Sequence, residues 1–299
     1  MKCPKCNEIN KEGAHFCFKC GTKLQKGSES RAKFSFGLLE KSSKNKKHAS
    51  FSFGESSTTP SEANLRNNPP FKIFTIKGVP FKMIRVEGGS FYMGITPEMA
   101  QERINRGIDW RDRHSLITLS SFYIGETVVT QGLWKAVMGK TTVTQPLWQE
   151  TMGELLNPSQ HRGDDSYPVD NIDQNHCQEF IDNLNAFTKC KFRLPTAAEW
   201  EFAARGGNLT KGYEHAGSNL RDDVGWFDDM THRVKLKQPN ELGLYDMSGN
   251  VWEFCQEEGV VRGMYYGREN ITSCHSIHEE FRVNRSLTGF RLALSTLNI

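Results

Sequence analysis

The stretch PNELGLYDMSGNVWEFC, Pro239 to Cys255, carries more structural information than any other part of this chain. It places two carboxylates, Asp246 and Glu253, on either side of Gly249, where glycine permits a sharp backbone bend. Carboxylates and inward-turned backbone carbonyls form the all-oxygen shell that calcium prefers. The pattern therefore indicates a calcium site made by Asp246, Glu253 and the carbonyls of Gly249 and Val251. The alternative is a metal-free turn that side-chain-to-backbone hydrogen bonds stabilise.

The size and charge of the chain favour a globular protein with a basic N-terminal region. It has 299 residues, of which 37% are hydrophobic and 11% aromatic, which suffices for a core. Residues 1–70 hold thirteen Lys and Arg against six Glu, a net charge of +7, and the total of +3 leaves −4 for the rest. The lysines are not interleaved with stacking aromatics, so we predict a solvated tether and no specific nucleic-acid binding.

The N-terminus does not resemble a secretory leader. Cys3 and Cys6 stand where such a leader needs an apolar core, and no run of residues is long and apolar enough to span a bilayer. We therefore expect a cytoplasmic protein. In that setting eight cysteines are better explained by metal binding and free thiols than by a disulfide framework.

Residues 1–24 have the cysteine spacing of a zinc ribbon. Two C-x-x-C pairs, CPKC and CFKC, supply Cys3, Cys6, Cys17 and Cys20. Four thiolates leave no open coordination position, so the zinc would be structural and would stabilise a piece too small to fold alone. Such a ribbon would dock a protein or act as a spacer. The alternative is two disulfides or four free thiols.

The remainder of the chain divides into a linker and a body. Residues 25–70 are rich in Ser, Lys, Asn and Gly, a composition typical of a disordered linker. The body, residues 71–299, begins with MIRVEGGSFYMG, Met83 to Gly94, whose alternating pattern predicts a hairpin around the Gly-Gly pair. A second extended stretch is predicted from Leu116 to Thr130.

Two helices have clear start signals. Thr196 and Glu199 form a T-x-x-E capping box, and Gly206 ends that helix. Asp173 begins a longer helix, whose apolar residues recur at three- and four-residue steps and predict one buried face. The residues of that face are Cys177, Phe180, Ile181, Leu184 and Phe187.

A tandem duplication precedes the longer helix. ETVVTQGLWKAVMG, Glu126 to Gly139, is followed at once by KTTVTQPLWQETMG, Lys140 to Gly153, and eight of the fourteen positions are identical. Each copy predicts a short helix with a threonine N-cap, Thr130 or Thr144. The duplication is too short and isolated to indicate a repeat architecture. We expect the first copy to continue the preceding strand and the second to join the NPSQ segment.

Five segments in order resemble the formylglycine-generating enzyme, or sulfatase-modifying factor, family. They are VEGGSFYMG, FYIGETVVTQ, FRLPTAAEWEFAARGG, PNELGLYDMSGNVWEF and GFRLA, and together they cover about residues 81–294. The resemblance implies an α+β, C-type-lectin-like fold for the body, preceded by the small zinc ribbon. It also implies that Asp246, Gly249, Val251 and Glu253 bind calcium. Many short, turn-bounded strands and few helices agree with that fold.

The copper chemistry of the resembled enzymes needs residues that this chain lacks at the expected place. Those enzymes hold copper with two nearby cysteines after the calcium segment, because soft thiolates suit the monovalent ion. Here the corresponding stretch reads RGMYYGREN, Arg262 to Asn270, and only Cys274 follows. We therefore expect no copper centre. Cys255 is the nearest other thiol, and a metal or disulfide pair between Cys255 and Cys274 stays open.

Two classes of function follow from the resemblance. One is an oxidative enzyme of the formylglycine-generating type. The other, which the missing cysteine pair favours, is a non-catalytic binding protein that presents a loop surface from residues 256–288 to a protein or other macromolecule. The resemblance extends to bacterial variable proteins whose changing residues lie in this segment. Its aromatic, Arg, Asn and His side chains are typical of recognition surfaces: Tyr265, Tyr266, Arg268, Asn270, His275, His278, Arg282 and Asn284.

Overall fold

The computed structural model describes residues 2, 69–94, 105, 115–139, 157–227, 230–263, 277–279 and 288–296, the last but one of these ranges by its backbone only. The chain divides into two compact units, Met1–Asn67 and Asn68–Ile299. The four ribbon cysteines and almost all of the predicted linker lie outside the described residues. In the described part no helix is both long and apolar enough to cross a membrane.

A five-stranded antiparallel sheet is the framework of the Asn68–Ile299 unit. Its order is β1 (Phe71–Ile76), β2 (Val79–Val86), β5 (Phe122–Gly125), β11 (Ala293–Ser295) and β6 (Phe192–Arg193). β11, close to the end of the chain, therefore lies between β5 and β6, which come from much earlier in the sequence. β11 thus joins β6 to the other three strands of the sheet by backbone hydrogen bonds on both of its edges.

The described residues also form two smaller sheets. One has the order β10 (Thr288–Phe290), β7 (Trp252–Phe254), β8 (Val260–Arg262) and β9 (Ile277–Glu279), with β10 parallel to β7 and the other pairs antiparallel. The other pairs β3 (Gly89–Met93) with β4 (Ser115–Leu119). The extended stretch predicted from Leu116 to Thr130 thus covers all but the first residue of β4 and the whole of β5.

The helices begin where the sequence predicts. In α1 (Gln131–Met138) the Thr130 side chain accepts the N–H of Leu133, while α2 (Gln174–Thr188) and α3 (Ala197–Ala204) begin with capping boxes. A short α4 (Arg221–Val224) and a 3₁₀ turn (Gly207–Leu209) follow. The buried face of α2 includes Leu184 but not Phe187, which is 49% exposed and packs under the Lys77 ammonium at 5.3 Å. The predicted face was therefore one residue too long.

The predicted hairpin from Met83 to Gly94 is wrong in its pairing. Its two strands, β2 and β3, exist, but β2 lies between β1 and β5 whereas β3 pairs with β4. The glycine pair carries the chain from one sheet to the other. A Cβ at Gly88 would lie 2.5 Å from the Leu119 carbonyl oxygen, so only glycine allows this close crossing.

The first copy of the duplication lies in the main core. The ring of Trp134 stacks on Phe180 of α2 with centroids 5.4 Å apart, and Phe290 of β10 meets both rings edge-on. Helix α1 follows β5 directly, as expected. The second copy, residues 140–153, lies outside the described residues, and so does its junction with the NPSQ segment.

Candidate functional site

The turn before β7 contains three residues with left-handed backbone: Asp246 (φ 56°), Gly249 (φ 81°) and Asn250 (φ 65°). Glycine is required at 249, because a Cβ there would lie 2.3 Å from the carbonyl oxygen of Trp226. The Asn250 side chain accepts the backbone N–H of His232 at 2.9 Å and donates to its carbonyl at 3.0 Å. These are the side-chain-to-backbone bonds that stabilise such a turn with or without a metal ion.

Asp246 is a buried carboxyl group with one unsatisfied oxygen. Its Oδ2 accepts the backbone N–H of Lys235 at 2.9 Å, whereas its Oδ1, also buried, has no hydrogen-bond partner among the described residues. Burial raises the pKa of Asp246 to about 6, although the Lys235 N–H and the charge of Arg291 oppose the shift. The Oδ1 atom therefore needs a proton or a cation.

Glu253, in β7, is fully buried and paired. Its Oε2 accepts the indole N–H of Trp200 at 2.7 Å and Nε–H of Arg291 at 2.9 Å, and its Oε1 accepts Nη2–H of Arg291 at 2.8 Å. Arg291 also donates to the carbonyls of Gly125 and Tyr245. A carboxylate offers about four lone-pair sites. Three are used here, which leaves one on Oε1.

Arg291 and Trp200 are two partners of the site for which the sequence analysis gives no role. Glu253 stands between two apolar residues of a short strand, and all three are buried. A buried carboxylate requires a cation close by. That rule, applied to the arginine in the otherwise apolar GFRLA segment, would have identified Arg291 as the partner.

Cys255 is not placed for copper chemistry. Its side chain is fully buried, and burial raises the pKa of the thiol far above its usual range, with the Arg262 charge opposing the shift only in part. Monovalent copper binds the thiolate, which this environment disfavours. Cys255 is a free thiol, and Cys274, its possible partner, lies outside the described residues. The thiol at this position therefore does not fit a copper ligand.

Residues 76–295 match the family model described as the sulfatase-modifying factor enzyme 1-like domain. The matched range is well over half of the chain and includes the turn, Glu253 and Arg291. The chain belongs to this family.

Relatives within the sulfatase-modifying factor family differ in their stated roles. This chain is 32% identical to chaperone protein LppX of Paenibacillus barcinonensis over an alignment of 179 residues that covers 47% of this chain and 64% of LppX. It is 38% identical over 81 residues to the formylglycine-generating enzyme of Streptomyces coelicolor, covering 22% of this chain and 26% of the enzyme. It is 37% identical over 79 residues to the inactive C-alpha-formylglycine-generating enzyme 2 of Bos taurus, covering 21% and 25%. The chain thus spans less than two thirds of each relative.

A solved structure shows the same fold. Treponema denticola variable protein 1 superimposes with a TM-score of 0.60 at 24% identity, covering 76% of this chain and 99% of that one. The predicted family fold, with mixed helices and strands, is therefore confirmed for the body.

In this domain of the sulfatase-modifying factor family, the predicted recognition segment, residues 256–288, includes strands and ends at a strand. The segment contains β8 and β9 and ends at the first residue of β10, so it has one connection over 263–276 and a second over 280–287. His278 lies in β9, opposite Val261 of β8. The side chains predicted to bind a ligand all lie outside the described residues. Tyr265, Tyr266, Arg268, Asn270 and His275 belong to the first connection, and Arg282 and Asn284 to the second.

A buried ion pair holds the end of β8, from which the first connection starts. Arg262, the last residue of β8, is fully buried and donates from Nη1 to Oε2 of Glu201 in α3 at 2.7 Å. The same carboxylate accepts the backbone N–H of Gly94 at 2.9 Å and pairs with Arg205. The start of the recognition segment is therefore attached to α3 and to the end of β3.

The predicted calcium residues have oxygens that suit a hard cation. Asp246 Oδ1 is unsatisfied, and Glu253 Oε1 keeps one lone-pair site. The Gly249 carbonyl accepts the N–H of Val251 at 2.9 Å and has a second lone pair. In the part of the chain that the structure describes, no three His, Cys, Asp or Glu side chains form a metal-binding group. A cation here would therefore depend on two carboxylates and backbone carbonyls.

Proposed function

We propose that this chain is a non-catalytic binding protein of the sulfatase-modifying factor family. It presents the surface of residues 256–288 to a protein or another macromolecule. The observation that carries the proposal is the complete burial of the Cys255 side chain, which raises the pKa of the thiol and so disfavours the thiolate that copper chemistry needs.

The strand frame supports a binding role. The first connection supplies Tyr, Arg, Asn and His side chains and the second supplies Arg and Asn. Both follow strands that are held in a sheet and, at Arg262, by a buried ion pair. Recognition surfaces commonly consist of variable loops on such rigid scaffolds, with Tyr and Arg as energetic anchors. A macromolecular ligand suits the length of this segment better than a small one.

The names of the relatives agree with this proposal in part. One relative is called inactive and another a chaperone, and both roles are consistent with binding without oxidation. A third is called a formylglycine-generating enzyme, and it represents the alternative function. That alternative would require Cys274 to act with a second thiol that is accessible to solvent.

Three further features belong to the same proposal. Calcium bound by Asp246, Gly249, Val251 and Glu253 would brace the turn that precedes β7. Zinc bound by the four N-terminal cysteines would stabilise a ribbon that docks a protein. We also place the protein in the bacterial cytoplasm.

A copper and peptide assay separates the two functions. The reduced full chain is titrated with Cu(I), and a cysteine peptide is then incubated with it under oxygen. We expect no stoichiometric copper site and no oxidation of the peptide. Tight one-to-one copper binding with peptide turnover, both lost in Cys255→Ser or Cys274→Ser, would establish the oxidative enzyme and reject our proposal.

A second experiment tests the location of the binding surface. A partner isolated by cross-linking and mass spectrometry is purified, and its affinity is measured by calorimetry. The triple substitution Tyr265→Ala, Tyr266→Ala, Arg268→Ala should weaken binding more than about tenfold, because aromatic and Arg anchors each contribute about 2 kcal/mol or more. Lys211→Ala with Tyr213→Ala, outside the segment, is the control. Equal affinities for the two variants would contradict the proposed surface.

A further inference from the structure

A cavity of about 290 Å³ lies between strands β1 and β2 and the loop that follows β5. Its walls are mainly apolar, and they include Ile73, whose side chain is 62% exposed. At about 30 Å³ per water molecule this space corresponds to roughly ten waters, or an aliphatic chain of about six to eight carbons. None of the residues that line the cavity belongs to the recognition segment. The apolar walls include Phe81, Met83, Val129, Leu133 and Leu292.

One side of the cavity carries three charged groups. Glu126 lies between two lysines, with Oε1 3.0 Å from the Lys82 ammonium and Oε2 2.7 Å from the Lys235 ammonium. Burial alone would raise the pKa of Glu126, but the two lysines hold it below its usual value. The group therefore contains two cations and one anion, which leaves one positive charge among the described residues that line the cavity.

Both ammonium groups are held in place and retain donors. The Lys82 ammonium lies 4.7 Å from the ring centroid of Phe71, and that of Lys235 lies 5.2 Å from the ring of Tyr245. Each ammonium has three N–H donors and gives one to Glu126. The Lys235 backbone has a left-handed φ of 66°, and its N–H donates to Asp246. This bond fixes the start of the Lys235 side chain.

We propose that this cavity binds a small aliphatic monocarboxylate. The carboxylate would bridge the Lys82 and Lys235 ammonium groups beside Glu126, so that two cations face two anions. The hydrocarbon tail would lie along the apolar walls. An amine of the same length would add a third cation, and a neutral amide would leave the excess positive charge unbalanced. The site is separate from the loop surface and goes beyond the function proposed for it.

Ligand series on the unmodified full chain provide the first test. Hexanoate, hexanamide and hexylammonium are titrated by calorimetry and by NMR at physiological salt. We expect saturable one-to-one binding of hexanoate and at least tenfold weaker binding of the other two. From acetate to hexanoate the affinity should rise by up to about fourfold per methylene, because each buried methylene contributes about 0.8 kcal/mol. Equal affinity for hexanoate and hexanamide, or no saturable binding of hexanoate, would overturn the proposal.

Substitutions then locate the site. Lys82→Met and Lys235→Met should each weaken hexanoate binding at least fivefold and leave the weak binding of hexanamide unchanged. Lys135→Met is the matched control, because Lys135 also pairs with a carboxylate, that of Asp165 at 2.9 Å, and is similarly exposed but lies outside the cavity. Thermal unfolding verifies that each variant is folded. Undiminished binding in both cavity variants, or an equal loss in Lys135→Met, would show that the acid binds elsewhere.

Discussion

At the scale of single side chains, the burial of Asp246 makes the stability of the fold depend on pH. Its pKa of about 6 lies above the ordinary 3.8, so the folded state favours the protonated form. In the absence of calcium, this contribution to the free energy of unfolding is present below about pH 4 and is lost as the pH rises through 6, a change on the order of 3 kcal/mol. Asp246→Asn should remove this dependence. Urea denaturation between pH 4 and 8 in chelator measures it, and parallel curves for the two proteins would contradict the prediction.

The same residue tests the calcium proposal. Adding calcium at pH 7.5 should raise the melting temperature of the unmodified protein, because the ion satisfies the buried Asp246 oxygen and binds only the folded state. Asp246→Asn should abolish the shift. Asp165→Asn is the control, since Asp165 is exposed and lies elsewhere. If calcium leaves the melting temperature of the unmodified protein unchanged, the proposed calcium site is wrong.

Arg291 tests the buried ion pair. Arg291→Met leaves Glu253 buried without its cation, and breaking such a pair costs about 3–5 kcal/mol. Arg233→Met removes an arginine whose pair with Asp164 is 46% exposed, and should cost far less stability, because solvent screens an exposed ion pair. Urea denaturation of both variants measures the difference. Similar losses of unfolding free energy in the two variants would mean that the buried pair with Glu253 contributes no more to stability than the exposed pair.

At the level of elements, the duplicated helix shows why the two copies are not equivalent. A Cβ at Gly132 would lie 2.7 Å from Cβ of Asp165, and the Gly132 N–H donates to the Asp165 carbonyl at 3.0 Å. The second copy has proline there, which adds the side chain and removes the donor. It also places Glu150 and Thr151 at the positions of two buried residues of α1, Ala136 and Val137.

Two deletions of equal length test this difference. Removal of residues 140–153 should leave the melting temperature within a few degrees of the original value. Three residues then connect Gly139 to Asn157 and can span roughly 13 Å, while the eight-residue α1 is about 12 Å long. Asn157 is already bonded to Gln131 at the start of that helix, at 2.9 Å.

Removal of residues 126–139 should instead destabilise the fold by several kcal/mol, because the second copy would bury a glutamate without a partner. Thermal and urea unfolding compare the two deletions. If the second deletion is as stable as the first, the copies are interchangeable and the packing argument is wrong.

The elements also show what the sequence can and cannot predict. Caps at Thr130, Asp173 and Thr196 are local patterns, and the structure confirms all three. Strand pairing is not local, so the alternation around Gly88 predicts two strands but not that they enter different sheets. The turn at Gly249 is likewise local, whereas its stabilisation depends on contacts distant in sequence. The Asn250 contact with residue 232 and the Glu253 contact with residue 291 are of this kind.

In the whole molecule, the end of the chain connects the site to the framework. β10 pairs in parallel with β7, and β11 lies between β5 and β6. Arg291 stands between β10 and β11 and donates to Glu253, Gly125 and the carbonyl of Tyr245. The recognition segment therefore begins just after β7 and ends at the start of β10, and these two strands pair with each other.

The zinc content of the full chain tests the predicted zinc ribbon. Four thiolates in two C-x-x-C pairs should hold one zinc ion per chain, and three thiolates bind it much more weakly. Cys17→Ser should therefore reduce the zinc content, measured by elemental analysis after gel filtration, from about one ion per chain to nearly none. Cys190→Ser is the control, because Cys190 is a partly exposed free thiol of the body. Zinc that remains in Cys17→Ser, or disappears in Cys190→Ser, would assign the metal to other ligands and leave residues 1–24 without the ion that their folding requires.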